Sequence, residues 1–236
     1  MDFKDRIGRR SMLMAGAGLL GRRPALASDA SQEKNLDKID PDAGVTAPED
    51  LMKEHGVLNR CLLIYEEAIR RLRNKEEVSP EVFNHTAELI RSFVEEYHEK
   101  NEEKYIFPVF EEHKKLIDLV QTLKTQHKIG RDVTARILHL STPDQFRSQD
   151  NRTQLMASCQ SFIRMYRPHE SREDTVLFPS LRTLLTPRQV EALGDRMEED
   201  EHKVLGDEGF EKSVDKVASI EKALGIYDIV QFTPKA

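Results

Sequence analysis

One eleven-residue pattern occurs twice in this chain, and it limits what the chain can fold into more than any other feature. The first copy reads His98-Glu99-Lys100-Asn101-Glu102-Glu103-Lys104-Tyr105-Ile106-Phe107-Pro108. The second reads His169-Glu170-Ser171-Arg172-Glu173-Asp174-Thr175-Val176-Leu177-Phe178-Pro179. In both, a Glu stands four residues after the His, a second acid follows it, and Phe-Pro begins nine residues beyond the His. Two further histidines keep the same register: His55 lies 43 residues before His98, and His127 lies 42 before His169. The chain therefore reads as two copies of one helix pair, each with a lone His and then a His-x-x-x-Glu.

The surrounding residues carry a helical rhythm. Leu51, His55, Leu58, Leu62, Tyr65, Ile69 and Leu72 recur at steps of three and four and predict a helix over 48–73. Ser79-Pro80 is a start signal, Ser as cap and Pro at the first helical position. The second helix then runs over 80–106 with Phe83, Ala87, Ile90, Val94, His98 and Glu102 inward, and Phe107-Pro108 is read as its end or a kink in it. A third is expected over 112–139 with Val120, Leu123, His127, Thr134 and Leu138 on one stripe. A fourth, over 144–177, carries Leu155, Cys159, Phe162, Tyr166, His169 and Glu173, with Phe178-Pro179 as its stop. Thr186-Pro187-Arg188-Gln189 has the residues of a capping box and opens a fifth helix, and a sixth ends at Gly225. The expected fold is all-α, an antiparallel up-down four-helix bundle over 48–181 with two additional helices in a C-terminal extension, 182–236. With 33% charged and 38% apolar residues and no Trp, the composition fits charged outer faces around such a bundle. The net charge of −6 argues against a nucleic-acid partner.

The repeated residues have a chemical consequence. A His and a Glu four apart sit one turn apart on one helix face, where they can grasp one metal ion or bridge two. His55, His98, Glu102, His127, His169 and Glu173 all fall on the apolar stripes that meet inside the bundle. Unpaired, such groups cost several kcal/mol to bury if charged, on the order of the usual penalty. Metal ligation removes that cost. Imidazole with carboxylate suits iron, and also manganese or zinc, and the absence of cysteine ligands excludes a tetrathiolate zinc or iron–sulfur site. His85, His113, His139 and His202 lie off these stripes or near helix ends and read as solvated.

A lone His, then His-x-x-x-Glu followed by Phe-Pro, both repeated, resembles the hemerythrin-like, His/His/Glu cation-binding domain over about residues 48–181. The resemblance implies two oxygen-bridged non-haem irons, with His55, His98, His127 and His169 as terminal ligands and Glu102 and Glu173 as the carboxylates. It also implies O2, NO or peroxide as the small-molecule ligand. The chain departs from the oxygen-carrying members in two places. Arg131 stands where they have a further His on the third helix. Asp174 stands at the spacing of their fourth-helix Asp and competes with Glu173. Three roles follow: reversible binding of O2 or NO, an enzyme reducing peroxide or O2 at an open coordination position, or iron storage or sensing without turnover. Tyr97 and Tyr166 are candidate partners of the ligands.

The remaining features concern processing and redox state. Arg9-Arg10, the apolar run Met12–Leu20 and Ala25-Leu26-Ala27 read as a cleavable signal of twin-arginine type, residues 1–27, with cleavage near Ala27. Residues 28–47 read as a flexible lead-in. The apolar run is too short for a membrane span, so the expectation is an exported, periplasmic protein. Cys61 and Cys159 either form one disulfide or stay free.

Overall fold

The computed structural model describes residues 46–234, so the signal and lead-in readings lie outside the described residues. Helix α1 spans Ala47–Arg73. Helix α2 runs without interruption through 80–112, with α-helical pieces Pro80–Leu89, Glu99–Asn101 and Phe107–Glu112 joined by the wider π-helical turns Ile90–His98 and Glu102–Ile106. Helix α3 is Ile117–Leu140, and α4 is the single turn Pro143–Phe146. Helix α5 runs through 149–184 as Gln149–Arg172, a π turn Glu173–Leu177, and Phe178–Leu184. Then come α6, Pro187–Leu205, and α7, Gly209–Leu224. No strand occurs among the described residues.

The helices form a bundle whose neighbours run antiparallel. Glu54 of α1 meets His98 of α2, while Tyr65, further along α1, stacks on Phe83, nearer the start of α2. Glu49, Asn59 and Glu66 of α1 pair in turn with Arg182, Glu170 and Arg167 of α5. Glu103 and Asn84 of α2 reach His127 and Ser141 of α3. The extension packs α6 and α7 against α1 and α2. Its caps are as the sequence indicates: a reciprocal Thr186–Gln189 box opens α6, and Gly225 closes α7 at φ 73°.

Two expectations about helix ends are corrected. Of the two alternatives at Phe107-Pro108, an end is ruled out, and Phe178-Pro179 does not close α5; both helices continue, to Glu112 and Leu184. The reason is the π turn. The Phe107 N–H reaches back five residues to the Glu102 carbonyl, and the Phe178 N–H does the same to Glu173. Proline, with no N–H to give, follows at once, so its missing donor falls where the hydrogen-bond ladder changes register. The third helix starts at Ile117 rather than 112, because Lys114 and Leu116 adopt left-handed backbone (φ 53° and 50°) and break the chain direction. Ser79 does precede α2, but its hydroxyl bonds Glu81 rather than a backbone N–H.

Two apolar layers enclose a polar one. Leu51, Ile106, Phe107, Phe110, Leu123, Leu177 and Phe178 belong to one buried cluster. Leu58, Leu62, Tyr65, Phe93, Val94, Phe162 and Tyr166 belong to the other. The six repeated His and Glu residues lie between them on all four long helices. Close approach of α3 and α5 beside this layer depends on Gly130, since a Cβ there would stand 2.0 Å from the Tyr166 Oη. Tyr166 is buried between Phe162 and His169 with ring centroids 4.2 and 5.3 Å away, so it has nowhere to retreat. Gly130→Ala should therefore cost about 1–3 kcal/mol, the usual range for overpacking, as a lowered urea midpoint.

Candidate metal centre

All six repeated residues converge in the buried layer. The ligand atoms of Glu102, His127, His169 and Glu173 lie within 4.8 Å of one another, and so do those of His55, His98 and Glu102. The four imidazoles turn Nε2 inward in two pairs: His55 and His98 at 3.1 Å, His127 and His169 at 3.3 Å. Each carboxylate touches one ring of each pair. Glu102 Oε2 is 3.7 Å from His98 Nε2 and 3.4 Å from His127 Nε2. Glu173 Oε2 is 3.4 Å from His55 Nε2 and 3.2 Å from His169 Nε2. The layer thus sets two pairs of imidazoles around two carboxylates, a donor set that could hold metal cations.

The outer nitrogens of the same rings are all held. Asp174 Oδ1 stands 2.8 Å from His55 Nδ1, Glu54 Oε2 2.7 Å from His98 Nδ1, Glu103 Oε1 3.2 Å from His127 Nδ1, and Gln126 Oε1 2.9 Å from His169 Nδ1. An Nδ1–H donated outward leaves the Nε2 lone pair pointing inward, the orientation a metal ligand needs. The repeat explains the supports as well. The residue before each lone His holds the His of the next helix, and the acid after each repeated Glu holds a lone His. Asp174 therefore sits behind His55, while Glu173 faces the centre. The acid after the Glu was visible in the sequence. Glu54 and Gln126 were missed, although both stand directly before the lone histidines; nothing in their own type or burial pattern marked them.

The layer fits cations and is uncomfortable without them. Both oxygens of Glu102 and both of Glu173 are buried with no hydrogen-bond partner. Burial, reinforced by Glu173, pushes the Glu102 carboxyl well above its usual range. Burial acts the same way on Glu173, but His169 and His55 outweigh it and hold that carboxyl below the usual range. Burial lowers His127 to about 4, against the pull of Glu103, and lowers His98 against Glu54. His55 goes the other way: burial opposes its charge, yet Asp174 and Glu173 raise it to about 10. Near neutral pH the metal-free protein thus carries a proton on His55 that a bound cation must displace. Metal binding at pH 7 should therefore release protons, and affinity should climb with pH until His55 is deprotonated near 10. Calorimetry in buffers of different ionisation enthalpy measures the release; none would contradict the assignment.

Beside the layer, Glu99, Glu103 and His127 form a third grouping, but Arg131 lies on it, 2.7 Å from Glu99 and 2.6 Å from Glu103. The guanidinium thus takes up the acids rather than leaving them for an ion. Tyr166 donates to Glu99 at 2.6 Å, and Tyr97 to Glu54 at 3.0 Å, so both tyrosines partner residues next to the ligands. His85, His113, His139 and His202 are exposed. Cys61 and Cys159 are both buried, free thiols.

A buried His/Glu layer between antiparallel helices, built on a two-fold sequence repeat, defines a metal-binding helical bundle. Residues 46–181 match the model of the hemerythrin HHE cation binding domain, and the chain belongs to that family. It is similar to uncharacterized proteins of Mycobacterium bovis and Mycobacterium tuberculosis, 43% identical over 233 residues, covering 97% of this chain and 91% of each relative. No solved structure matches the chain.

Proposed function

We propose that the chain is a non-haem di-iron protein of up-down four-helix type that binds O2 or NO at this centre. The observation that carries the reading is the set of four buried, partnerless carboxylate oxygens facing four inward Nε2 atoms. His55 and His98 would hold one ion, His127 and His169 the other, with Glu102 and Glu173 shared. Iron, when bound there, supplies redox chemistry with oxygen that no side chain in the layer can. The protein's own part is to orient the rings through their Nδ1 partners and to keep bulk water out with Phe107 and Phe178, both fully buried against lone-His rings. The test is metal analysis with absorption spectra: about two irons per chain by the site count, and bands that appear with O2 and fade on degassing. An iron-loaded protein with no such reversible change would defeat the carrier reading.

A second reading, reduction of peroxide or O2, is favoured by Arg131, which stands where the oxygen-carrying members have a further His and would leave a bound ion with one protein ligand fewer. Glu99 next to it is raised to about 8 by burial, against the Tyr166 hydrogen bond, so it holds a proton at neutral pH. Sustained peroxide consumption by the iron-loaded protein, lost in Arg131→His, supports this reading; no turnover removes it.

Export is proposed on residues 1–27 alone. Protein recovered from a periplasmic fraction should begin just after Ala27; an intact Met1 terminus there would refute cleavage.

A further inference from the structure

The extension beyond the family match reaches toward the metal layer through Glu201. Glu201 of α6 is buried, with Oε2 at 3.4 Å from the Tyr97 hydroxyl and Oε1 accepting the Phe210 N–H at 2.8 Å at the start of α7. The same Tyr97 hydroxyl lies 3.0 Å from Glu54 Oε1, and the other oxygen of Glu54 is 2.7 Å from His98 Nδ1. One file of contacts therefore runs Glu201, Tyr97, Glu54, His98. The other half of the repeat is held from within the long helices, with His127 on Glu103 and Arg131 on both Glu103 and Glu99. Pro168 stands before His169 where Tyr97 stands before His98, and the neutral Gln126 holds His169. Helices α6 and α7 pack on α1 and α2, the two that carry His55 and His98.

We propose that Glu201 is a positioning residue through which the C-terminal helices tune the His55/His98 half of the metal centre and leave the His127/His169 half alone. This rests on the reading that cations occupy the layer. A tyrosine hydroxyl has one proton, and here two carboxylates compete for it. The more of that proton Glu201 takes, the more of Glu54's charge remains for His98, and the better a donor the His98 Nε2 becomes. Glu201→Gln replaces an acceptor with an amide that donates to the Tyr97 oxygen and drives its proton onto Glu54. His98 then binds metal more weakly. Tyr97→Phe removes the proton altogether and leaves Glu54 undivided for His98, so the same half binds more tightly. A purely structural role for Glu201, such as capping α7, gives no reason for opposite signs.

The experiment is a Co2+ titration of the full chain against a competing chelator, with the visible bands followed through both binding steps. Removing an outer partner of a ligand costs roughly 10–100-fold in affinity, so one link further out the expected change is about three- to tenfold. Glu201→Gln should weaken one of the two steps by that factor and Tyr97→Phe should strengthen the same step. The Glu201→Gln effect should persist in His169→Ala and vanish in His98→Ala. Equal changes in both steps, the same sign for both variants, or no change in a protein that still binds two ions would overturn the proposal. Wild-type protein that binds no Co2+ would instead sink the metal reading on which the proposal rests.

Discussion

Glu102→Gln should strip the protein of bound metal and at the same time make the metal-free protein more stable. The two effects share one cause. Glu102 and Glu173 are fully buried, face each other across the layer, and have four oxygens without hydrogen-bond partners. With cations bound, these oxygens would supply them with negative charge. Without cations they are like charges in a dry interior, and the protein responds by raising the Glu102 carboxyl far above its usual range. A carboxyl raised on folding is easier to bury protonated, so the metal-free fold is penalised increasingly as pH rises above the ordinary carboxylate value and toward the raised one. Glutamine is nearly isosteric, carries no charge and does not titrate in this range. It should therefore stabilise the metal-free protein at pH values above the ordinary carboxylate range and flatten its stability there, because the buried charge is gone. Metal affinity should fall by more than the ~100-fold that loss of an outer partner can cost, because a ligand atom and a charge go together. Metal content per chain and urea unfolding of chelated protein measure the two halves. Retained metal in Glu102→Gln would remove Glu102 from the centre.

How much of this was legible in the sequence depends on what each feature rests on. The four long helices and their inward stripes follow from periodicity alone, and residues such as Phe83, Val94, Leu123 and Phe162 are buried where that period puts them. The six layer residues follow from the repeat, because internal register carries information that a single His does not. The stop at Phe178-Pro179, and the end allowed at Phe107-Pro108, were misread, since proline ordinarily stops a helix and nothing in the local sequence announces a π turn. The supports at Nδ1 were only half visible. They come from neighbouring helices, so their partners are set by packing rather than by spacing along the chain. Glu201 lay further out of reach, as its role depends on where an appended helix docks.

The π turns also decide the second large effect, which is at Phe178. In a regular α-helix a residue five positions on points about 140° away from the first, so Phe178 would face away from Glu173. The wider turn over Glu173–Leu177 brings it back toward the same face. Its ring stacks on His55 with centroids 5.7 Å apart and planes at 22°, and it is fully buried in the apolar cluster that closes one side of the layer. Phe107 occupies the matching place against His127 at 5.4 Å. Phe178→Ala should cost about 3–5 kcal/mol, the usual toll for deleting a buried phenyl ring, and Phe178→Leu, which keeps most of the volume, should cost about 1.5 kcal/mol or less. Calorimetric or urea unfolding of chelated protein separates the packing loss from any loss of metal. The alanine variant should also let water reach His55 first, so its metal should exchange faster with a chelator than that of Phe107→Ala at the His55/His98 position, with the reverse order at His127/His169. If both variants changed stability by less than about 1 kcal/mol, far below the cavity scale, the packing argument for the π turns would fail, because the rings would not be closing the layer.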